Sequence, residues 1–456
     1  MTAFAWTDAE VRRALGLSPA GADAGPAYTG VSTDSRSVET GQLYVALVGE
    51  RFDGHDFVAD ALARGARGVV ASRAAGATGG APVYSVADTL VALGALAHHR
   101  RTYLRAPVVA ITGSSGKTTT KDLTAAALGT AKRVHATRGN LNNRVGMPLT
   151  LLAAPDRAEA VVLEMGTNEP GEIRVLAQIA RPDIGVVTTV GEAHLEKLGS
   201  VQGVLDEKLD LLRNLAAGGR CVVGDEPALL VDGARAICEG VRVAGWSERA
   251  DGDLRPDGAR ADEAGRYAFT WRGTTVSVPV AGRHAVTDAL LALAVADLLG
   301  VAPADAARGL ASAATNPMRA EVRRIGSLTV IVDCYNANPQ SVGAALDILQ
   351  GQSTAERRVA VLGTMRELGA ESARLHREVL ARALATDIDV LVATGGFAEA
   401  ARELDMVGSD RVITAEDWRA AYPLLRARLA GGEVVLLKAS RGIALEGILP
   451  MLEADF

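Results

Sequence analysis

Val108-Val109-Ala110-Ile111 is an apolar run that breaks into Thr112-Gly113-Ser114-Ser115-Gly116-Lys117-Thr118-Thr119, ahead of a helical pattern. Such a run is a buried strand. A strand that enters a helix through a glycine-rich loop belongs in a parallel sheet with helices on both faces. The loop points to a polyphosphate. Backbone N–H groups of Gly113, Ser114, Ser115, Gly116 and Lys117 can turn toward the anion, and the Lys117 ammonium adds charge near the transferred phosphoryl. Thr118, beside Thr119, offers its hydroxyl to Mg²⁺. The long form of this loop has a glycine where Ile111 stands, so this is the shorter Gly-x-x-Gly-Lys-Thr form. A glycine-rich turn with a solvated lysine has the same spelling, and context must decide.

A chain of 456 residues exceeds one ordinary core and predicts three domains of roughly 150 residues each. A net charge of -6 and an aromatic content of 4% argue against a nucleic-acid partner. Cys221, Cys238 and Cys334 form no Cys-x-x-Cys pair. Neither a disulfide framework nor a zinc site is expected, in keeping with a reducing cytoplasm. The segment Met1–Leu15 mixes charged and apolar residues, and no apolar run approaches about 18 residues, so neither a signal peptide nor a membrane span is predicted.

The expected class is α/β with three domains: a small N-terminal α/β domain (1–86), a central parallel-sheet phosphate-loop ATPase domain (87–316) and a C-terminal Rossmann-like domain (317–456). In the first, Thr33-Asp34-Ser35-Arg36 is a polar knot that either turns the backbone or meets an anionic ligand through Arg36. In the second, strands are predicted at Val108–Ile111, Ala160–Glu164 and Ile184–Thr188. Glu164 and His194 then stand at strand ends, where ligands bind in such sheets. A helix over 201–215 puts Lys208 in the middle of an apolar stripe, with Gln202, Asp206, Glu207, Asp210 and Arg213 opposite. A lysine there either snorkels out or, once buried, loses its proton and becomes able to add CO₂ as a carbamate. Ala250–Gly265 reads as an exposed loop and Arg283–Leu299 as a long helix. Beyond 317, strands at Leu328–Val332, Val359–Leu362, Val390–Ala393 and Val434–Leu437 form a second parallel pattern without a Gly-x-Gly-x-x-Gly fingerprint, expected to close over the central site.

These segments, with Gly139–Asn143, Leu163–Gly166, Glu192–Leu195, Tyr335–Pro339, Val361–Gly363, Leu375-His376 and Lys438–Gly442, resemble the Mur ligases, ATP-dependent amide-forming enzymes of peptidoglycan precursor synthesis, along nearly the whole chain. Tyr335–Pro339 and Gly139–Asn143 favour the member that joins D-alanyl-D-alanine to UDP-N-acetylmuramoyl-tripeptide. The resemblance implies that Thr33, Asp34, Ser35, Arg36, Asn140, Asn142 and Asn143 hold the sugar peptide, while Lys438, Ser440 and Arg441 serve substrate from the third domain. It implies ATP on the 113–119 loop, with Arg319, Tyr335 and Asn336 closing on the nucleotide. It also implies one Mg²⁺ on Thr118 and Glu164 and a second on His194 and a carbamylated Lys208, in a cytoplasmic monomer. The chain departs from the family pattern at Thr364, Ala439, Ala285 and Asp288; Asp288 is expected to accept from the adenine amino group. Two other readings use the same residues: a sibling adding the third amino acid, or a related folate-type amide ligase, and a nucleotide-regulated binding protein with a decayed site.

Overall fold

The computed structural model describes residues 5–19, 25–74, 76–352 and 355–456. The first sheet is small and parallel: β1 (Val31–Ser32), β2 (Leu43–Val45), β3 (Gly68–Ala71) and β4 (Val83–Ser85) lie side by side in chain order. Helix α1 (Thr89–Tyr103) starts where the Asp88 carboxylate accepts from the Leu90 and Val91 N–H groups. Its Ala92, Leu93 and Leu96 pack with Leu43, Val45, Val70 and Tyr84. The same helix sends Ala97 into the central core, so it fastens the first domain to the second.

The central sheet contains β5 (Val108–Thr112), β6 (Val134–Ala136), β7 (Ala160–Glu164), β8 (Ile184–Val187), β9 (Arg220–Gly224) and β10 (Arg242–Ala244). All are parallel, in the order β10-β9-β8-β5-β7-β6. Strands β5, β7 and β8 are buried throughout, which is why each reads as an unbroken apolar run. The order reverses between β5 and β8, and a crevice at such a reversal is the usual ligand position. Helix α2 (Lys117–Gly129) follows β5, α3 (Glu172–Ala180) follows β7, and α4 (Val201–Arg213) follows β8.

Two expectations are corrected here. Ala250–Gly265 is not simply a loop: it holds a 3-10 turn, Gly252–Leu254, and strand β11 (Asp257–Ala261). That strand joins β12 (Arg266–Trp271) and β13 (Thr274–Ala281) in an antiparallel sheet. β11 is an edge strand with mostly exposed side chains, so it has no apolar period to read. Phe269, Trp271, Val276 and Val278 of this sheet join the core around α5 (Arg283–Leu298), a helix buried over most of its length between α2 and the sheets. The second correction concerns the cysteines. Cys221 in β9 and Cys238, just past the helix Ala228–Ile237, form a disulfide with Cα atoms 6.4 Å apart. A strand and the helix returning along it bring together residues 17 apart in sequence, which a search for Cys-x-x-Cys misses. Unpaired cysteines therefore no longer serve as a sign of a reducing compartment.

The third sheet is mixed. β14 (Glu321–Ile325) runs antiparallel to β15 (Leu328–Asp333), while β16 (Arg358–Leu362), β17 (Val390–Thr394), β18 (Val412–Ala415) and β19 (Val434–Lys438) are parallel to β15, in the order β14-β15-β19-β16-β17-β18. After β15 the chain turns into helix α6 (Pro339–Gln350), and the Asn338 amide at its start donates to the Ser114 carbonyl at 3.3 Å. The third domain is docked on the phosphate loop. Among the described residues no helix is long and apolar enough to cross a membrane.

Candidate active site

Two glycines shape the turn from β5 into α2. A Cβ on Gly113, at φ +150°, would lie 1.9 Å from Thr188 Oγ1, and one on Gly116, at φ +78°, would lie 2.4 Å from Asp288 Oδ1. Only glycine fits either place. The Ser114 N–H donates to the Thr189 carbonyl at 2.9 Å, and the Ser114 hydroxyl accepts from the Gly191 N–H at 3.0 Å, so the loop is bound to the turn after β8. Gly116 caps α2 without any side-chain acceptor, leaving the first N–H groups of that helix open to an anion. Lys117 arches back, its Nζ donating to the Gly113 carbonyl at 2.7 Å. Burial lowers the Lys117 pKa; Glu164 and Glu367 oppose that shift and Arg319 adds to it, so these charges share one field. Thr118 is buried and Thr119 partly exposed on the first turn of α2.

Glu164 ends β7, the neighbour of β5. Its Oε1 accepts from the Asn142 amide at 2.7 Å, while Oε2 is buried with no hydrogen-bond partner among the described residues. Lys208 presents a second orphan: it is 0% exposed, and its Nζ has no hydrogen-bond partner among the described residues. Burial and then Lys117 lower its pKa to about 7, against the pull of Glu207 and Glu172. A large share of this amine is therefore neutral near pH 7. The rest of α4 differs from the expected wet face, because Glu207 and Asp210 are buried. Glu207 accepts from the Gly171 and Ile173 N–H groups at 2.6 and 2.8 Å, fixing the start of α3. Asp210 pairs with Arg174 at 3.0 Å and with Arg213 at 3.1 Å. His194 follows β8 in left-handed backbone, φ 57°, with Nδ1 2.6 Å from Glu367 Oε2.

Asp288 is not open to a base as expected. It is 5% exposed, its Oδ1 accepts from the Thr120 hydroxyl at 3.0 Å, and its Oδ2 has no hydrogen-bond partner among the described residues. It supports the underside of the phosphate loop, and burial raises its pKa to about 7 against Thr120 and Arg319. Among residues expected at the sugar peptide, Asn142 instead meets Glu164, and Asn143 Oδ1 accepts from the Val145 and Gly146 N–H groups at 3.2 and 2.8 Å. Asn140 is exposed, Thr33 is partly exposed, and Ser35 is buried. Asp34 accepts from the Arg36 side chain at 2.8 Å and from its N–H at 2.9 Å, which holds the acid at about 2 and meets the Arg36 charge locally.

In the third domain, Lys438 Nζ donates to Asp333 at 2.5 Å and to the Asn336 carbonyl at 2.9 Å. The Ser440 hydroxyl accepts from the Arg366 N–H at 2.9 Å and donates to the Ala337 carbonyl at 3.3 Å. Arg441 pairs with Glu446 at 2.7 Å. In this state all three brace the domain's own turns, where sequence had pointed to a substrate. The Arg319 guanidinium lies 4.0 Å from the centre of the Tyr335 ring, and Asn336 Oδ1 accepts from the Ala337 N–H at 2.9 Å. Sequence reading passed over Gln340 and Glu367, and treated Asn338 only as part of a motif. Gln340 accepts from the Ser115 hydroxyl at 3.4 Å and donates to Thr189 Oγ1 at 2.8 Å, a pairing with no local signal.

Each part of this arrangement has counterparts among known proteins. The family models described as Mur ligase family, catalytic domain, as Mur ligase middle domain, and as Mur ligase, glutamate ligase domain match residues 27–101, 111–296 and 318–441. The UDP-N-acetylmuramoyl-tripeptide--D-alanyl-D-alanine ligase of Bacillus subtilis (strain 168) is 37% identical over 425 residues, 92% of each chain. This chain belongs to the Mur ligase family. As a Mur ligase it is an ATP-dependent enzyme that forms a carbon–nitrogen bond. Two solved Mur ligase structures share its three-domain α/β form. MurF from Acinetobacter baumannii has a TM-score of 0.88 at 30% identity and covers 100% of both chains. MurF from Thermotoga maritima, in complex with ADP, has a TM-score of 0.80 at 29% identity, covering 93% of this chain and 97% of that one.

Proposed function

We propose that this Mur ligase joins D-alanyl-D-alanine to UDP-N-acetylmuramoyl-tripeptide in the cytoplasm, acting as a single chain and spending one ATP. Identity of 37% across 92% of each chain to a relative bearing that name supports the choice of substrates. One observation carries the chemistry: two buried polar atoms without partners among the described residues, Glu164 Oε2 and Lys208 Nζ, come from β7, the sheet neighbour of the strand that bears the phosphate loop, and from α4, which packs against that strand.

The tripeptide carboxylate attacks the γ-phosphorus of ATP, the bond to the β–γ bridging oxygen breaks, and ADP leaves an acyl phosphate. The amine of D-alanyl-D-alanine then attacks the acyl carbon, loses a proton and expels phosphate. Two anions must meet in the first step, so positive charge has to converge there. Lys117 and the open start of α2 supply the protein's share. Mg²⁺, when bound, would supply further positive charge to the phosphate oxygens. Thr118 and Glu164 would hold one ion, and the donor set fits, because Glu164 keeps a free oxygen. His194 and carbamylated Lys208 would hold a second; a neutral buried amine is the form that adds CO₂, and the carbamate offers two hard oxygens. Arg319, Tyr335 and Asn336 would close on the nucleotide and shield the acyl phosphate from water. Thr33 to Arg36, with Asn140, would meet the sugar peptide from the first domain.

The test is phosphate release from ATP with the tripeptide nucleotide, comparing D-alanyl-D-alanine with single amino acids. The dipeptide alone should support turnover. Equal use of a single amino acid would overturn the assignment in favour of a sibling ligase, and phosphate release independent of any amine would favour a nucleotide-driven binding protein. Running both lysine- and diaminopimelate-ended tripeptides identifies the natural acceptor.

A further inference from the structure

Resting on the function proposed above, we infer that Glu367 is a positioning residue for His194: a carboxylate from the third domain sets an imidazole of the central domain, so docking of that domain readies the phosphate site. Glu367 lies in the turn after β16, and His194 in the turn after β8. Both adopt left-handed backbone, at φ 65° and 57°, a conformation disfavoured in residues with a Cβ. These two left-handed residues meet. Glu367 Oε2 is 2.6 Å from His194 Nδ1, and the Glu367 carbonyl accepts from the Glu196 N–H at 3.1 Å. Gly369, at φ 57°, seats the same turn so closely that a Cβ there would lie 2.9 Å from the Glu196 Cα.

The contact is electrostatic first. Besides His194, the Lys117 and Arg366 cations bear on the Glu367 carboxylate. Among the described residues Nδ1 has this carboxylate within ion-pair distance but no aligned hydrogen bond. An acid committed to Nδ1 fixes ring orientation and tautomer, leaving the Nε2 lone pair for a cation. Here the acid arrives from a different domain. Docking itself has other anchors: Asn338 reaches the Ser114 carbonyl at 3.3 Å, and Gln340 reaches Thr189 at 2.8 Å, neither touching His194. Loss of Glu367 should therefore leave the domains together and disturb the ring.

The experiment uses the full chain with ADP and Mn²⁺ as the probe, read by electron paramagnetic resonance, alongside steady-state kinetics and small-angle X-ray scattering. Glu367→Ala should weaken Mn²⁺ binding about 10-fold and lower kcat by about 10–100-fold, with the KM for ATP moving less than about 3-fold. Glu367→Gln, which keeps an acceptor oxygen, should recover part of the loss. Glu378→Ala removes an acid that is paired on its own helix with Arg374, and should behave as wild type. Scattering from Glu367→Ala should match the wild-type envelope; an opened envelope would show that Glu367 holds the domain instead of the ring and would overturn the inference. Unchanged Mn²⁺ binding in Glu367→Ala, with binding lost in His194→Ala, would overturn it while sparing the role of His194. Unchanged binding in both would bring down the ion assignment as well.

Discussion

Two strand-to-helix turns face each other across the boundary between the second and third domains, and they treat the first N–H groups of their helices in opposite ways. Between β5 and α2 the cap is Gly116, which offers no side-chain acceptor. Between β15 and α6 the cap is Asn338, whose Oδ1 accepts from the Ser341 N–H at 2.8 Å while the Ser341 hydroxyl accepts from the Asn338 N–H at 3.0 Å. A helix start that satisfies itself is finished structure and can be used to dock. One left uncapped, with glycines holding its loop open, is waiting for an anion. The same supersecondary unit thus serves once as grip and once as buttress.

The contrast breaks most directly at Lys117. Lys117→Ala should lower turnover by about 10²-fold or more through loss of a charge partner for the transferred phosphoryl. Circular dichroism should show an intact fold, and near-wild-type turnover from folded protein would reduce the open turn to architecture. Next comes Lys208→Met, which should remove most activity yet raise thermal stability. The folded Lys208 pKa of about 7 lies below the ordinary 10.5, so between those values the unfolded chain binds the extra proton and stability rises with pH. Methionine lacks that penalty. Calorimetry at pH 7, 8 and 9 should find the variant melting higher at pH 7 with a flatter profile; an active variant of unchanged stability would count against a buried functional amine.

Beneath the open turn, Asp288 has the reverse dependence. Its folded pKa of about 7 exceeds the ordinary 3.8, so across that window the folded state binds the extra proton and stability falls as pH rises. Asp288→Asn should abolish this fall, worth on the order of 2 kcal/mol between pH 5 and 8 by urea unfolding. Parallel profiles for variant and wild type would mean that the acid does not titrate under the loop. Ser341→Ala, which breaks half of the self-capped start, should cost only about 1 kcal/mol, with turnover within about twofold. A loss of turnover as large as that of Lys117→Ala would erase the distinction between grip and buttress.

The parallel strands were legible because β5, β7 and β8, buried on both faces, spell themselves as apolar runs, and Ala160–Glu164 matches its predicted span. β11 and β14 were not, since an edge strand such as Glu-Val-Arg-Arg-Ile carries charge instead of period. Lys208 could be singled out because a helical stripe is local arithmetic. Glu207 and Asp210 misled the same arithmetic: Glu207 meets the backbone at the start of α3, and Asp210 meets Arg174 as well as Arg213 of its own helix, so partners that no helical wheel contains help to bury both. Asp288 misled it too, because α5 is enclosed on nearly every side and has little wet face on which to display an acid. Gln340 and Glu367 escaped notice for a further reason: their meaning lies in a neighbour more than 100 positions away, and only domain docking supplies it.

The order of strands in the central sheet makes it a ruler. Glu164 ends β7, the phosphate loop leaves β5, and the turn bearing His194 leaves β8, three strands adjacent in the ladder. Hydrogen bonding spaces neighbouring strands about 4.8 Å apart, so the outer two stand roughly 10 Å from each other. That gauge belongs to the backbone and not to any loop. Insertions in the connecting turns can reshape what enters the crevice, but the span between the acid on one side and the imidazole-bearing turn on the other cannot be retuned without rebuilding the sheet.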